Sequence, residues 1–202
     1  ASISFGIKQE NIFGSGNYLG IDVNTSKYRR TLVFSTTNPY FTQDGISRTV
    51  DLYYRTDKPY EDQGGNYELV TTGASMRFGI PFSETDTVFF GGGFEQTQIK
   101  AGTNIPATYL AYANTYGATS NAIPLTVGWS RDDRDSALAP NSGRYQRLNS
   151  EWSVAGDARY VRGNYQYQQY IPLNKRFTVA FNGELGYGKG LNGRPFPVFK
   201  NF

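Results

Sequence analysis

The sequence contains neither cysteine nor histidine. Without cysteine there is no disulfide framework and no thiol chemistry. Without histidine the commonest general base and the commonest metal ligand are both missing. No enzyme is therefore expected, and no catalytic, cofactor-binding or metal-ligating set. No run of about 18 apolar residues occurs, which excludes a transmembrane helix. Charge of one sign is also missing. The 20 basic and 17 acidic residues give a net charge of +3 and are spread along the chain, with no basic cluster. Nucleic acid is accordingly not an expected partner. The opening stretch ASISFGIKQE has no basic start followed by an apolar core, so it does not read as a signal peptide. The chain is expected to open in mid-strand, as an excised fragment or processed product would.

What is present points to strands. Aromatics make up 16% of the chain, and 23 of its 202 residues are glycine. A helical bundle tolerates such a mixture poorly, because each glycine costs a helix about 1 kcal/mol. The mean hydropathy of −0.52 is that of a soluble protein, but a membrane barrel shows lipid only its alternate residues and is polar on average. Period-two alternation dominates the sequence. Ile3, Phe5 and Ile7 alternate with Ser4, Gly6 and Lys8, and Leu19, Ile21 and Val23 with Gly20, Asp22 and Asn24. Leu32 and Phe34 lead a third, less regular strand, and Val50, Leu52 and Tyr54 alternate with Thr49, Asp51 and Tyr53. The spans 66–80 and 86–100 each read as one long strand. Ile123 to Trp129, Leu148 to Val154, Tyr165 to Tyr167 and Phe177 to Tyr187 continue the pattern. Several of these exceed the usual 5–6 residues and approach the ~9–11 that cross a bilayer with tilt. The span Ala107 to Ala118 alone looks helical and is expected to be a short helix or an ordered loop.

The connections alternate between two sets. One comprises residues 11–16, 38–45, 81–86, 136–143 and 172–175, all short and rich in Pro, Gly, Asn and Asp. The other comprises 25–30, 58–66, 101–121, 155–158 and 189 onwards, and contains the longest members. Outer-membrane barrels have this asymmetry, with short periplasmic turns and longer outside loops. Aromatics recur near strand ends: Tyr18, Tyr28, Tyr40, Phe41, Tyr60, Tyr67, Phe82, Tyr145, Tyr160, Tyr170, Phe177 and Tyr187. These are expected as interfacial girdles. A soluble β-sandwich would alternate too, but the small, hydrogen-bonding polar rows inside the strands suit a wet lumen better. The expected fold is all-β, an antiparallel transmembrane β-barrel wall of about ten meandering strands, with no linker marking a second domain.

Three groupings invite a chemical reading and are better explained otherwise. Arg131-Asp132-Asp133-Arg134-Asp135 could hold a metal or ligand, yet its alternating signs suit a solvated, self-paired turn. Gly91-Gly92-Gly93 has no following helix or Lys-Ser/Thr, so strand flexibility or close packing is expected rather than a phosphate loop. Glu151 and Glu184 could form a carboxylate pair, but both occupy lumen-side strand positions.

Turn motifs narrow the class to a family. Glu10-Asn11-Ile12-Phe13-Gly14-Ser15-Gly16 resembles the first strand–turn motif of the BamA family barrel. Thr37-Asn38-Pro39-Tyr40-Phe41-Thr42-Gln43-Asp44-Gly45 is similar to its next periplasmic turn, and Pro140-Asn141-Ser142-Gly143-Arg144 to a later Pro-x-x-Gly turn. Gly186-Tyr187-Gly188-Lys189-Gly190-Leu191, through Pro195-Phe196 to Asn201-Phe202, resembles the strand leading into the family's inward-folding loop. The matches follow family order across nearly the whole chain. The resemblance implies the second to eleventh strands of a sixteen-strand barrel, covering residues 1–202, without the POTRA domains and the final strands. It also implies the family's activity, which is folding and inserting β-barrel proteins in the outer membrane of Gram-negative bacteria. Implied partners are outer-membrane lipid and lipopolysaccharide, unfolded outer-membrane protein clients, and assembly-machinery lipoproteins reached through the POTRA domains. The family's Val-Arg-Gly-Phe motif is absent, and Val161-Arg162-Gly163-Asn164 echoes it only by chance. The alternative is a transport pore, either a two-partner secretion transporter or a porin.

Overall fold

In the computed structural model the described residues are 2–58, 67–100, 102, 104–174 and 176–200. They form ten strands: β1 (Ser2–Gln9), β2 (Tyr18–Ser26), β3 (Arg29–Asn38), β4 (Ser47–Asp57), β5 (Glu68–Pro81), β6 (Asp86–Lys100), β7 (Thr119–Asp132), β8 (Gly143–Gly156), β9 (Tyr160–Pro172) and β10 (Thr178–Gly190). One helix, α1 (Ala107–Tyr116), interrupts the β6–β7 connection, as its sequence suggested. The strands make a single sheet in chain order, and every neighbouring pair is antiparallel.

The alternating rows fix the two faces. On the convex face Ile3, Phe5, Ile7, Leu52, Phe94, Leu125, Phe181 and Leu185 stand exposed. A sheet that turns such side chains outward throughout is built to meet lipid. Strands β5 to β10 are 13 to 15 residues long, so each spans the hydrocarbon with residues to spare. The register is regular except between Ala122 and Pro124, where it shifts by a bulge. Proline has no N–H for the ladder, which is why the irregularity falls there.

The connections depart from the simple short-and-long alternation. At one end of the sheet, here the turn end, they cover residues 10–17, 39–46, 82–85, 133–142 and 173–177. At the opposite, loop end they cover 27–28, 58–67, 101–118 and 157–159. The longest is at the loop end, but so are the two tightest. At 27–28 the Arg29 N–H donates to Ser26 Oγ at 3.0 Å, and at 157–159 Gly156 takes φ +94, leaving the strand in a conformation glycine adopts cheaply. Much of the 58–66 loop, with Tyr60, lies outside the described residues, as do Lys175 and the Asn201-Phe202 end of the last motif.

Tyr40, Phe82, Phe177 and Tyr187 are well exposed near strand ends, as girdle residues would be. The girdle expectation fails for Tyr67 and Tyr160, which are fully buried. Both face inward, where α1 and the segment after β10 cover them. Among the described residues, most of the buried apolar side chains gather in two clusters on the concave face. Tyr67, Leu69, Ile99 and Tyr112 form one, and Ala122, Ala158 and Tyr160 the other.

Candidate functional site: a strap bolted into the concave face

The chain after β10 turns back into the concave face. Leu191 N–H donates to Arg159 O at 3.0 Å, and Arg194 N–H closes a turn on Leu191 O at 3.1 Å. Asn192 and Gly193 both have positive φ in that turn. Glycine at 190 makes the return possible, since a Cβ there would meet Arg194 O at 1.9 Å. The strap then runs past Pro195 and Pro197, which have no N–H to leave unsatisfied, and ends in a single 3-10 turn, Val198–Lys200.

Its side chains combine apolar anchors with two cations, Arg194 and Lys200. Phe196 packs edge-on to Tyr160 with ring centroids 5.8 Å apart. Phe199 packs edge-on to Tyr112 of α1 at 5.7 Å and touches both buried clusters. Tyr109 of α1 donates its hydroxyl to Val198 O at 3.3 Å. Aromatic pairs of this geometry add about 0.5–1.5 kcal/mol each beyond the area they bury. Burial pushes the Tyr112 hydroxyl above its ordinary pKa.

Lys200 ends the strap between two carboxylates. Its Nζ lies 2.5 Å from Glu95 Oε1 on β6 and 3.6 Å from Glu151 Oε1 on β8. The ammonium also sits 5.7 Å from the centre of the Tyr160 ring. Each carboxylate has a tyrosine donor: Tyr53 Oη to Glu95 Oε2 at 2.7 Å, and Tyr160 Oη to Glu151 Oε1 at 2.5 Å. Arg162 closes the set, donating to Glu151 Oε2 at 3.5 Å and to the Lys200 carbonyl at 3.4 Å. The side chains of Lys200 and Glu95 are 10% and 8% exposed, so the pair is nearly dehydrated. Ions so buried persist only when each is matched and hydrogen-bonded, as here. One strap residue thus ties β4, β6, β8 and β9 together.

The groups singled out from sequence fall as follows. Glu151 joins the Lys200 network, whereas Glu184 lies on β10 and accepts from Asn164 Nδ2 at 3.4 Å, so the two carboxylates are not brought together. The 131–135 run is a self-paired turn, with Arg134 on Asp132 at 2.7 Å and Arg144 on Asp133 at 3.5 Å. Gly91 and Gly93 face neighbouring backbone closely, since a Cβ at either would lie 2.4 Å from Met76 O or Ala74 O. Sequence reading missed the roles of Tyr53, Glu95 and Lys200. The one available signal was a carboxylate and a tyrosine in the inward rows of two strands whose shared neighbour has glycine at the matching position.

A lipid-facing antiparallel meander with an inward strap after its last strand is the architecture of an outer-membrane β-barrel wall. Residues 11–202 match the Omp85 superfamily domain, and the chain belongs to that superfamily. It is similar to the outer membrane protein assembly factor BamA of Neisseria meningitidis serogroup B, at 31% identity over 212 residues, which covers 99% of this chain and 27% of that protein. The BamA of Nitratidesulfovibrio vulgaris is 25% identical over 205 residues, covering 99% of this chain and 25% of that one. The chain thus spans about a quarter of the length of these curated relatives. A crystal structure of BamA from Haemophilus ducreyi lacking POTRA domains 1-3 shares the fold, with a TM-score of 0.88 at 24% identity over 100% of this chain and 41% of that one.

Proposed function

We propose that this chain forms part of the barrel domain of an outer-membrane β-barrel assembly factor, where it helps fold and insert other barrel proteins. The observation carrying this reading is its similarity, along 99% of its length, to a protein named outer membrane protein assembly factor BamA. On this reading the ten strands are a section of a sixteen-strand barrel, and POTRA domains and further strands complete the protein. Lipid and lipopolysaccharide surround the wall, unfolded outer-membrane proteins are the clients, and assembly-machinery lipoproteins dock through the POTRA domains. The work is non-enzymatic: strand edges are offered for pairing and the bilayer is locally disturbed. The strap supports such a role by keeping the wall rigid while pairing changes elsewhere.

The test is reconstitution of the full-length protein carrying this chain in lipid vesicles, followed by addition of a urea-unfolded outer-membrane barrel. Faster appearance of the folded, heat-modifiable client than in empty vesicles is expected. Ion conductance without any acceleration of client folding would make the protein a transport pore instead.

A further inference from the structure

A second feature of the concave face lies beside the Lys200 network. A cavity of about 160 Å³ is lined by Arg77 of β5, Arg147 of β8 and Arg162 of β9, with Asn149, Asn164 and Glu151. The register explains the convergence. Arg77 is in line with Gly91, Thr126, Glu151 and Arg162 across five successive strands. Gly91 and Thr126, the positions between Arg77 and Glu151, are small and leave room over them for the long side chains. Gly128 belongs to the same floor, and a Cβ there would lie 2.4 Å from Asn149 Oδ1.

The charges in this cavity do not balance. Its carboxylate, Glu151, is already held by Tyr160, Arg162 and Lys200. Arg77 is exposed on the cavity side, with its guanidinium 5.6 Å from the centre of the Phe89 ring. The Arg147 Nε is buried away from solvent, without a hydrogen-bond partner among the described residues. Glu184, the carboxylate on β10, is paired with Asn164 and lies opposite Gln166, the residue that separates it from Arg147. Cations that share a partly dehydrated cavity repel one another, and an unpaired buried donor carries its full desolvation cost. Both penalties vanish when an oxyanion accepts from two guanidiniums at once.

We propose that this cavity is an oxyanion site, taking one carboxylate or phosphate group between Arg77 and Arg147 with the Asn149 and Asn164 amides alongside. A free anion or an acidic side chain entering the lumen offers the same chemistry. The site is independent of the assembly reading, because it is tested by binding and stability alone.

The experiment is thermal unfolding of the full-length protein in detergent micelles, with inorganic phosphate or sodium chloride at matched ionic strength. The R77Q/R147Q and R77K/R147K variants are measured beside it. If the anion is free, phosphate raises the melting temperature saturably and chloride does not, and R77Q/R147Q weakens the apparent affinity by about tenfold or more. If the anion is an acidic side chain, phosphate has no effect, R77Q/R147Q melts at a lower temperature, and R77K/R147K restores most of the loss. A wild type indifferent to phosphate together with R77Q/R147Q melting at or above it would overturn the proposal. So would an equal phosphate response in wild type and R77Q/R147Q.

Discussion

The Tyr53 hydroxyl reaches Glu95 across an entire strand, donating to its Oε2 at 2.7 Å although β5 lies between them. Gly73 makes the crossing possible, since it pairs with Tyr53 on one side and Glu95 on the other. A Cβ at residue 73 would sit 2.4 Å from the Tyr53 ring and 2.9 Å from Phe94 O. Gly73→Ala is therefore expected to push the ring off its path, at a cost of about 1–3 kcal/mol. Tyr53→Phe removes the donor and leaves the carboxylate oxygen short of a partner, also about 1–3 kcal/mol. The two changes break the same bond, so G73A/Y53F costs clearly less than the sum of its parts. Urea unfolding in micelles, followed by heat-modified gel mobility, measures all three.

Lys200 is the most consequential single side chain in the strap. Lys200→Met leaves Glu95 and Glu151 facing each other's field without their shared cation, and a loss of about 3–5 kcal/mol is expected for such a buried pair. Glu95→Gln added to it removes one uncompensated charge, so K200M/E95Q is more stable than K200M alone. Hydrogen exchange should show the damage at Leu191 and Arg194, whose N–H groups hold the strap's turn. Equal stability of the single and double variants would mean that packing by Phe196 and Phe199, not charge, holds the strap.

The wall was legible in the sequence and the interior was not. Ile3, Phe5 and Ile7 alternate with Ser4, Gly6 and Lys8 because a strand shows its faces at period two, so the lipid side is written into local order. Strand ends were less clear: β9 runs from Tyr160, although its alternation is visible only near Tyr165 and Tyr167, because Val161 to Asn164 mixes charge and glycine. Tyr67 and Tyr160 look like girdle residues for the same reason that Tyr187 does: each sits at a strand end. Only α1 and the strap, joined from distant parts of the chain, decide that the first two are buried. The Lys200–Glu95 pair is likewise set by tertiary return of the strap, which no periodicity encodes.

The convex face makes a depth-dependent prediction. Leu185 is 73% exposed on β10 and Phe181 56%, both well inside the strand. Leu185→Arg places a charge in hydrocarbon and is expected to cost about 2–4 kcal/mol in a bilayer, against about 0–1 kcal/mol for the same change near the interface, as at Tyr187. Glu184→Gln, one residue away but on the lumen side, should be nearly neutral. Unfolding titrations in lipid vesicles distinguish these cases. A cost at Glu184 matching that at Leu185 would reverse the assignment of faces.

Asp135 is one of the carboxylates that organise the turn between β7 and β8. Its Oδ1 accepts from the Asn141 N–H at 2.9 Å and the Ser142 N–H at 3.2 Å, and these bonds hold its pKa below the ordinary value of 3.8. A carboxylate with a depressed folded pKa contributes stability that is fully present above the unfolded pKa and is lost as pH falls through the folded one. The turn is therefore expected to stay ordered at neutral pH and to loosen only in acid below the normal carboxylate range. Amide exchange at Asn141 and Ser142 should accelerate there beyond its intrinsic pH trend. In Asp135→Ala both amides should exchange quickly at every pH, with the acid-dependent step gone. The neighbouring backbone bond from Asp133 N–H to Arg144 O, at 2.9 Å, serves as the internal reference, because no carboxylate takes part in it. Protection at Asn141 and Ser142 persisting in the alanine variant would show that the backbone bond from Asp135 N–H to Ser142 O, at 3.1 Å, suffices to close the turn.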